Sequence, residues 1–452
     1  MSLAFGTDGV RGVANVELTP ELVLGLGRAA ARVLGPGPWL VGRDTRVSGP
    51  FLGAALAAGL ASEGADVVDL GVLPTPAVAA ACAARNLPGA VISASHNPFS
   101  DNGVKLFAPG GRKLADDVES RIEAELHGPQ ASTRSIDGAA VGSLSIDATG
   151  ATAYADRVLS ALEGRTLAGR KIVLDCANGS ASTIAGGVFR RAGATVTVLH
   201  AEPDGVNINE GCGSNHPATL QAAVREAGGD AIGLAFDGDA DRVVAVSEGG
   251  DLVDGDQILA LSALDLRARG LLHGDAVVVT VMSNLGFRLA MEAAGVRVVE
   301  TKVGDRYVLE ALTEGGYSLG GEQSGHIIFP ALARTGDGML TGLLLVDLVE
   351  RSGRTLSDLA AAAMHRLPQV LVNVRVADAS AVMADQAVAE EVTSIERDLG
   401  ARGRVLLRPS GTEPLIRVMV EAPTEEQARN AADRLAAVVA AALGAAGALG
   451  AT

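Results

Sequence analysis

Three aspartates at alternate positions, Asp237, Asp239 and Asp241, sit in the run "AFDGDADRVVAV" between two apolar stretches. Carboxylates this close repel one another unless a counter-ion holds them. A donor set made only of oxygen suits a hard cation such as Mg2+. The spacing also invites comparison with an EF-hand, with Glu248 at the twelfth position. Arg242, however, stands where that loop needs glycine, and strand-like runs flank it where helices would be required. The bland alternative is a solvated acidic turn between two strands. Arg242 beside the carboxylates also supplies charge for a bound phosphate.

A second chemistry-bearing run is "ISASHNPFSDNGVKL", which gathers Ser95, His96, Asn97 and Lys105. Asn-Pro favours turn initiation, so Ser95 is expected on an exposed loop tip. Past it lies "DNG", a tight-turn signal that would fold the loop back and bring the Lys105 ammonium toward the serine. There it would balance phosphate charge or move a proton. Read alone, the run favours an ordinary polar turn whose Ser and Asn bond their own backbone.

Two further runs have the same double reading. In "GGEQSGHIIF", Glu322, Ser324 and His326 alternate, and extended backbone would set them on one face as a comb for sugar hydroxyls. The alternative is a Gly-rich loop. In "RPSGTEPLIR", the hydroxyls of Ser410 and Thr412 and the backbone around Gly411 form a phosphate cradle, charged by Arg408 and Arg417. The alternative is a plain hairpin turn. Thr7, Asp8 and Arg11 in "GTDGVRG", and Lys302, Asp305 and Arg306 in "KVGDRYV", mark two more polar loops.

These loops need a scaffold, and the chain contains one repeated plan. "WLVGRDTRVSGPFLGAALAAGLASEGADVVDLG", "KIVLDCANGSASTIAGGVFRRAGATVTVLH" and "AVVVTVMSNLGFRLAMEAAGVRVVETK" each read strand, polar loop, Ala-rich helix, turn, strand. Gly64, Gly193 and Gly295 fall where a helix C-terminal glycine belongs. Strand–helix–strand units of this size pair in parallel. The last stretch differs: "PQVLVNVRVAD" and "RVLLRPSGTEPLIRVMVEAP" read as strands. A helix capped by Thr424 follows them. The expected architecture is three similar α/β units and an α+β module. Boundaries near 150, 250 and 367 give segments 1–150, 151–250, 251–367 and 368–452. The Gly-rich "HGPQASTRSIDGAAVG" and Pro368 support two of these boundaries.

The 452 residues are 48% hydrophobic but only 3% aromatic, which suits Ala-rich helices on Val/Leu strands. A formal net charge of −16 argues against nucleic acid or an anionic membrane as partner. Cys82, Cys176 and Cys212 are scattered and odd in number, which reads as a reduced cytosolic setting. Asp8 and Arg11 interrupt the place of a signal-peptide apolar core. The uncharged Ala/Gly tail reads as the end of a packed helix and a frayed terminus.

"FGTDGVRG", "GRDTR", "ISASHNPFSDNGVKLF", "DGDADR", "GGEQSGHIIF" and "RPSGTEPLIR" occur in the order found in the α-D-phosphohexomutases. The resemblance spans Phe5 to Arg417. It implies four domains around a central cleft: three similar α/β units with mixed sheets and a C-terminal α+β domain. It implies that Ser95 is a phosphoserine, and that its phosphate with Asp237, Asp239 and Asp241 holds one Mg2+ per active site. Lys105, Arg11, His96 and His326 are then candidates for proton transfer or charge balance. Glu322, Ser324 and His326 contact the sugar, and Arg306 lies in the loop that reads its orientation. Arg408, Ser410, Gly411, Thr412 and Arg417 hold the phosphate that is not transferred.

The implied activity is an isomerase-class intramolecular phosphotransfer through a sugar 1,6-bisphosphate, with glucosamine or glucose 1,6-bisphosphate as activator. The wording "GEQSGH" and the N-terminal "FGTDGVRG" resemble the branch that interconverts glucosamine 6-phosphate and glucosamine 1-phosphate. That branch feeds UDP-N-acetylglucosamine and cell-wall peptidoglycan. The alternatives are the same chemistry on mannose or glucose phosphates, and a catalytically silent sugar-phosphate binder, which would be expected to lack Ser95 or an aspartate of the trio. Partners implied are the sugar phosphate, a second copy in a homodimer, and a kinase that primes Ser95. The expected location is cytoplasmic.

Overall fold

The structure, a computed structural model, describes residues 5–6, 9–128, 136–409 and 414–449. It divides into two compact units. The first comprises residues 1–282 and 295–363, and the second residues 283–294 and 364–452.

Three mixed sheets build the first unit. The N-terminal sheet contains β1 (Val10–Val13), β2 (Trp39–Arg43), β3 (Val67–Val72), β4 (Gly89–Ile92), β5 (Asp101–Ala108), β6 (Arg112–Lys113) and β7 (Leu144–Ile146). Its order is β1-β5-β4-β2-β3-β7, with β6 paired to β5. The middle sheet contains β8 (Lys171–Asp175), β9 (Thr195–Leu199), β10 (Ile232–Phe236), β11 (Val243–Val246) and β12 (Leu252–Val253), in the order β12-β11-β10-β8-β9. The third contains β13 (Ala276–Thr280), β14 (Arg297–Thr301), β15 (Gly320–Gly321) and β16 (Ile327–Ile328), in the order β14-β13-β15-β16.

The repeated plan is visible as three parallel pairs, β2 with β3, β8 with β9 and β13 with β14. Gly64, Gly193 and Gly295 have φ of 88°, 103° and 68°, the left-handed region that lets the chain leave a helix and turn back. The central strands are continuous apolar runs because helices and loops cover both faces. All five residues of β10, "IGLAF", are buried. The core of the first sheet joins Trp39, Val41, Ile92 and Val104 to Leu52, Leu56 and Leu60 of the helix Gly49–Ala61.

The second unit carries an antiparallel sheet of β17 (Gln369–Arg375), β18 (Arg404–Pro409) and β19 (Leu415–Glu421), ordered β17-β19-β18. Helix Glu425–Leu449 packs on it, with Ile416, Val418, Val420, Leu435 and Val439 buried together. Thr424 Oγ1 accepts from the Gln427 amide, as its capping position predicts. Helix Gln386–Leu399 was not anticipated, although Asp385 caps its start and Gly400 (φ 58°) ends it. Among the described residues no helix is long and apolar enough to cross a membrane.

Candidate active site

Strands β10 and β11 are antiparallel, and the loop between them presents the three aspartates. Each of Asp237, Asp239 and Asp241 is buried, and one carboxylate oxygen from each lies within 4.8 Å of the others. Burial, and then the charges of Asp241 and Asp239, raise the Asp237 pKa well above the usual carboxylate range. Asp239 Oδ1 and Asp241 Oδ1 are buried without a hydrogen-bond partner. Orphaned, mutually repelling carboxylate oxygens on a fixed loop are what a hard divalent cation would satisfy, so the residues present fit such an ion. Glu248 belongs elsewhere: its carboxylate accepts from the Leu356 and Ser357 amides and caps the helix Leu356–Ala363.

The serine loop meets this trio. Ser95 Oγ donates to Asp237 Oδ2 at 2.6 Å and lies 3.3 Å from His96 Nδ1. The expectation of an exposed loop tip is wrong: Ser95 is 1% exposed. Residues remote in sequence enclose it. The Arg46 guanidinium, itself buried, donates to the carbonyls of Ser95 and Asn97 at 2.9 Å each and to that of Pro98. Asn209 Nδ2 donates to the same Ser95 and Asn97 carbonyls. Asp44 pairs with Arg46 and accepts from Ser93 Oγ, which in turn accepts the Ser95 amide. This network holds Ser95 at φ 55°, a left-handed conformation that a non-glycine residue keeps only when its surroundings impose it. A Cβ on Gly238 would stand 2.6 Å from the Ser95 carbonyl oxygen, so only glycine lets the aspartate loop approach this closely.

Lys105 reaches the site by another route than expected. "DNG" is not a turn; Asp101–Ala108 is strand β5, which pairs with β1 and β4, and Lys105 stands opposite Val91. Asn102 is buried and donates to Ser48 Oγ, so its side chain serves packing within a strand. The Lys105 ammonium donates to Asp239 Oδ2 at 2.7 Å and Asp241 Oδ2 at 3.2 Å. Thr75 Oγ1 also donates to Asp239 Oδ2, at 2.7 Å. Burial, followed by the positive charges of Arg242 and Arg11, pushes the His96 pKa down to about 4, so that imidazole is neutral at neutral pH.

Glu322, Ser324 and His326 do not form an extended comb. They occupy the tight turn between β15 and β16, closed by the Gly325 amide donating to the Glu322 carbonyl. Ser324 Oγ donates to Glu322 Oε2, and Glu322 Oε1 accepts from the Gly304 amide. His326 is buried, with Nδ1 3.6 Å from Asp241 and Nε2 3.4 Å from Asp305. Burial opposes a charge on its ring, but Asp241, Asp305 and Glu322 outweigh that and push its pKa up to about 9. The Gly336 amide points at Nε2. The two influences oppose each other at Nε2, because the Gly336 amide needs that nitrogen's lone pair, but either protonation state leaves a proton on Nδ1, facing Asp241.

Arg306 is ion-paired with Asp116 and, at 2.6 Å, with Glu119. In the second unit, Arg408 and Arg417 stand directly opposite each other across β18 and β19. Ser410, Gly411 and Thr412 lie outside the described residues, as do Thr7 and Asp8. Sequence reasoning assigned no site role to Arg46, Asp44, Thr75 and Asn209. The run "GRDTR" contains the first two, but nothing local says that its arginine is buried.

Comparison with known proteins places the chain in a family. Models described as phosphoglucomutase/phosphomannomutase alpha/beta/alpha domains I, II and III match residues 2–132, 152–250 and 254–367, and the C-terminal domain of the same description matches 371–438. The chain belongs to the phosphoglucomutase/phosphomannomutase family. It is 57% identical to the phosphoglucosamine mutase of Streptomyces avermitilis, covering 98% of this chain and 100% of that one. It is 55% identical to that of Rhodococcus jostii, covering 97% and 100%. A solved phosphoglucomutase/phosphomannomutase family protein from Burkholderia thailandensis is 26% identical with a TM-score of 0.79, over 97% of both chains. The N-acetylphosphoglucosamine mutase of Aspergillus fumigatus, solved with GlcNAc-6P and magnesium, shares the fold at 20% identity and TM-score 0.73, over 98% of this chain and 96% of that one. Like its family, the chain is an isomerase-class intramolecular phosphotransferase, and three matched α/β domains followed by a C-terminal domain agree with the three mixed sheets and the antiparallel sheet above.

Proposed function

We propose that this phosphohexomutase interconverts glucosamine 6-phosphate and glucosamine 1-phosphate through phosphorylated Ser95. The observation that carries the reading is the 2.6 Å contact between Ser95 Oγ and Asp237 inside the aspartate trio. The named relatives at 55–57% identity support the amino sugar as substrate.

In this reading a sugar hydroxyl oxygen attacks the phosphorus on Ser95. The new O–P bond forms as the Oγ–P bond breaks, the hydroxyl proton leaves to a base, and a sugar 1,6-bisphosphate results. The bisphosphate re-binds with its ends exchanged and returns its other phosphate to Ser95. Neutral His96, 3.3 Å from Oγ, is placed to hold or return the proton at that atom. Asp237, Asp239 and Asp241, with the serine phosphate, would hold Mg2+, which supplies charge neutralisation for the transferring group when bound. Lys105 balances the same carboxylates. Glu322 and Ser324 are the groups proposed to meet the sugar. Arg408 and Arg417 carry the charge proposed to hold the phosphate that stays, together with Ser410, Gly411 and Thr412. Functionally, segment 1–150 supplies the serine loop, 151–250 the metal loop, 251–367 the sugar-recognition turn and 368–452 the phosphate clamp.

Burial of Ser95 favours priming by a bisphosphate activator over a kinase, which would have to open the loop first. Cytoplasmic supply of a cell-wall precursor is the proposed setting. The test is a panel of glucosamine, glucose and mannose phosphates assayed both ways with Mg2+ and trace bisphosphate, beside intact-mass detection of a phosphate on Ser95. Highest kcat/KM for the amino sugar is expected. Equal turnover of glucose or mannose phosphate would replace this reading with a general phosphohexomutase, and a silent panel would leave a sugar-phosphate binder.

A further inference from the structure

Outside this machinery, the middle sheet brings together three side chains of a different donor character. Asp175 ends β8, His200 follows β9, and Cys212 lies in the loop before helix Ala218–Ala227. One ligating atom from each lies within 4.8 Å of the others. We propose that Asp175, His200 and Cys212 form a second cation site, suited to a borderline ion such as Zn2+ and distinct from the aspartate trio.

The carboxylate is fixed in advance. Asp175 Oδ1 accepts the Ala177 amide and Oδ2 the Gly213 amide, both at 3.0 Å, and each oxygen keeps a further lone pair. His200 Nδ1 lies 3.1 Å from Asp175 Oδ1, yet it is buried and makes no hydrogen bond. The two groups are therefore close without a proton aligned between them. Tetrahedral zinc ligands at about 2.0–2.3 Å from the ion stand roughly 3.3–3.6 Å apart, close to this spacing. Cys212 is a free, buried thiol. A cation would displace the thiol proton, because a coordinated thiol ionises.

A sulfur, nitrogen and oxygen set selects zinc-like ions over Mg2+, which prefers oxygen alone. His200 retains 27% side-chain exposure and offers a path of entry to the otherwise closed cluster. Its φ of 47° is a left-handed conformation held by the Asn178 amide bonding to its carbonyl. The site also touches the catalytic scaffold. Asn209, three residues before Cys212, donates to the Ser95 and Asn97 carbonyls, and the Ser214 amide bonds to the Phe236 carbonyl at the end of β10. A cation here would pin the segment that supports both the serine loop and the aspartate loop.

The test uses the full chain, stripped with chelator and then given excess Mg2+ to occupy the aspartate trio. Titration with Co2+ should produce a thiolate-to-cobalt charge-transfer band in the near ultraviolet, saturating at one ion per chain. Zn2+ should abolish the band by displacement and raise Tm. Cys212→Ser and, separately, His200→Gln should lose the band, whereas Cys176→Ser and Asp239→Asn should keep it. The aspartate trio has no sulfur, so Co2+ bound there cannot mimic the signal. Absence of a thiolate band in the parent protein, or its survival in His200→Gln, would overturn the proposal. That variant decides the matter even if Cys212→Ser fails to fold.

Discussion

Ser95 Oγ donates to Asp237 Oδ2 at 2.6 Å, joining two loops 142 residues apart in the chain. The same bond fixes the serine hydroxyl and occupies an oxygen of a carboxylate whose charge its neighbours resist. Ser95→Ala should therefore abolish turnover and leave no phosphate detectable by intact mass. Because the hydroxyl is buried and bonded, the change should also cost about 1–3 kcal/mol, a loss typical of an unpaired buried partner. Denaturant unfolding and the mutase assay read the two effects. Activity within tenfold of the parent would remove Ser95 from the reaction.

Arg46 should act as a positioning residue. Its guanidinium is buried and serves the carbonyls of Ser95, Asn97 and Pro98 and the carboxylate of Asp44. Arg46→Met strands Asp44 as an unpaired buried charge, expected to cost about 3–5 kcal/mol. Removing both charges in Asp44→Asn/Arg46→Met should lose less stability than Arg46→Met alone while remaining slow in kcat. A merely structural arginine predicts that the double variant, once folded, regains parental kcat. Melting curves and kcat for the pair of variants separate these outcomes.

The scaffold was legible in sequence because its signals are local and repeated. Alternating strand and Ala-rich helix patterns, closed by Gly64, Gly193 and Gly295, correspond to three parallel strand pairs. The aspartate loop was legible for the same reason, since two apolar strands frame it. What sequence could not supply was enclosure. Asn-Pro suggests an exposed turn, but Arg46, Asp44 and Asn209 come from other parts of the chain and bury Ser95. "DNG" carries a turn signal, yet its three residues pair with Val13, Gly12 and Arg11 of β1, and β5 runs on to pair with β4 from Val104, so the run is held as strand. Arg306 illustrates a third limit: its ion partners Asp116 and Glu119 are set by tertiary packing, which residue type does not announce.

Arg408 and Arg417 face each other directly across β18 and β19. Burial, and next the charge of Arg417, lowers the Arg408 pKa. Like charges directly opposite on a sheet destabilise it by roughly 0.2–1 kcal/mol, a strain that a bound anion would relieve. Arg417→Ala should thus leave stability unchanged or slightly higher in phosphate-free buffer. It should raise KM far more than it lowers kcat, since a phosphate held in ground and transition states alike contributes uniform binding. A charge-assisted contact of this kind is worth about 1.5–3 kcal/mol, or roughly ten- to a hundredfold in KM. A fall in kcat with KM untouched would assign Arg417 to the chemical step instead.

Asp337 provides a pH test that is independent of turnover. It caps the helix Gly338–Ser352 by accepting the Leu340 amide, and Tyr154 Oη donates to the same oxygen, Oδ1, at 2.7 Å. Burial raises its pKa to about 6 despite these bonds. The unfolded chain carries the ordinary value near 3.9, so between about pH 4 and 6 the folded state binds the extra proton. The favourable contribution is complete below about pH 4 and is lost as pH rises through 6, a span worth roughly 3 kcal/mol at 1.36 kcal/mol per unit. Asp337→Asn keeps an oxygen to accept from both Tyr154 and Leu340 but cannot ionise. The variant should therefore be more stable than the parent at pH 7.5, and the difference should shrink toward zero near pH 4. Melting both proteins across that range gives the comparison directly. A parent that gains stability relative to the variant as pH rises from 4 to 7 would show that Asp337 is held as a carboxylate, with its pKa lowered and not raised by the fold.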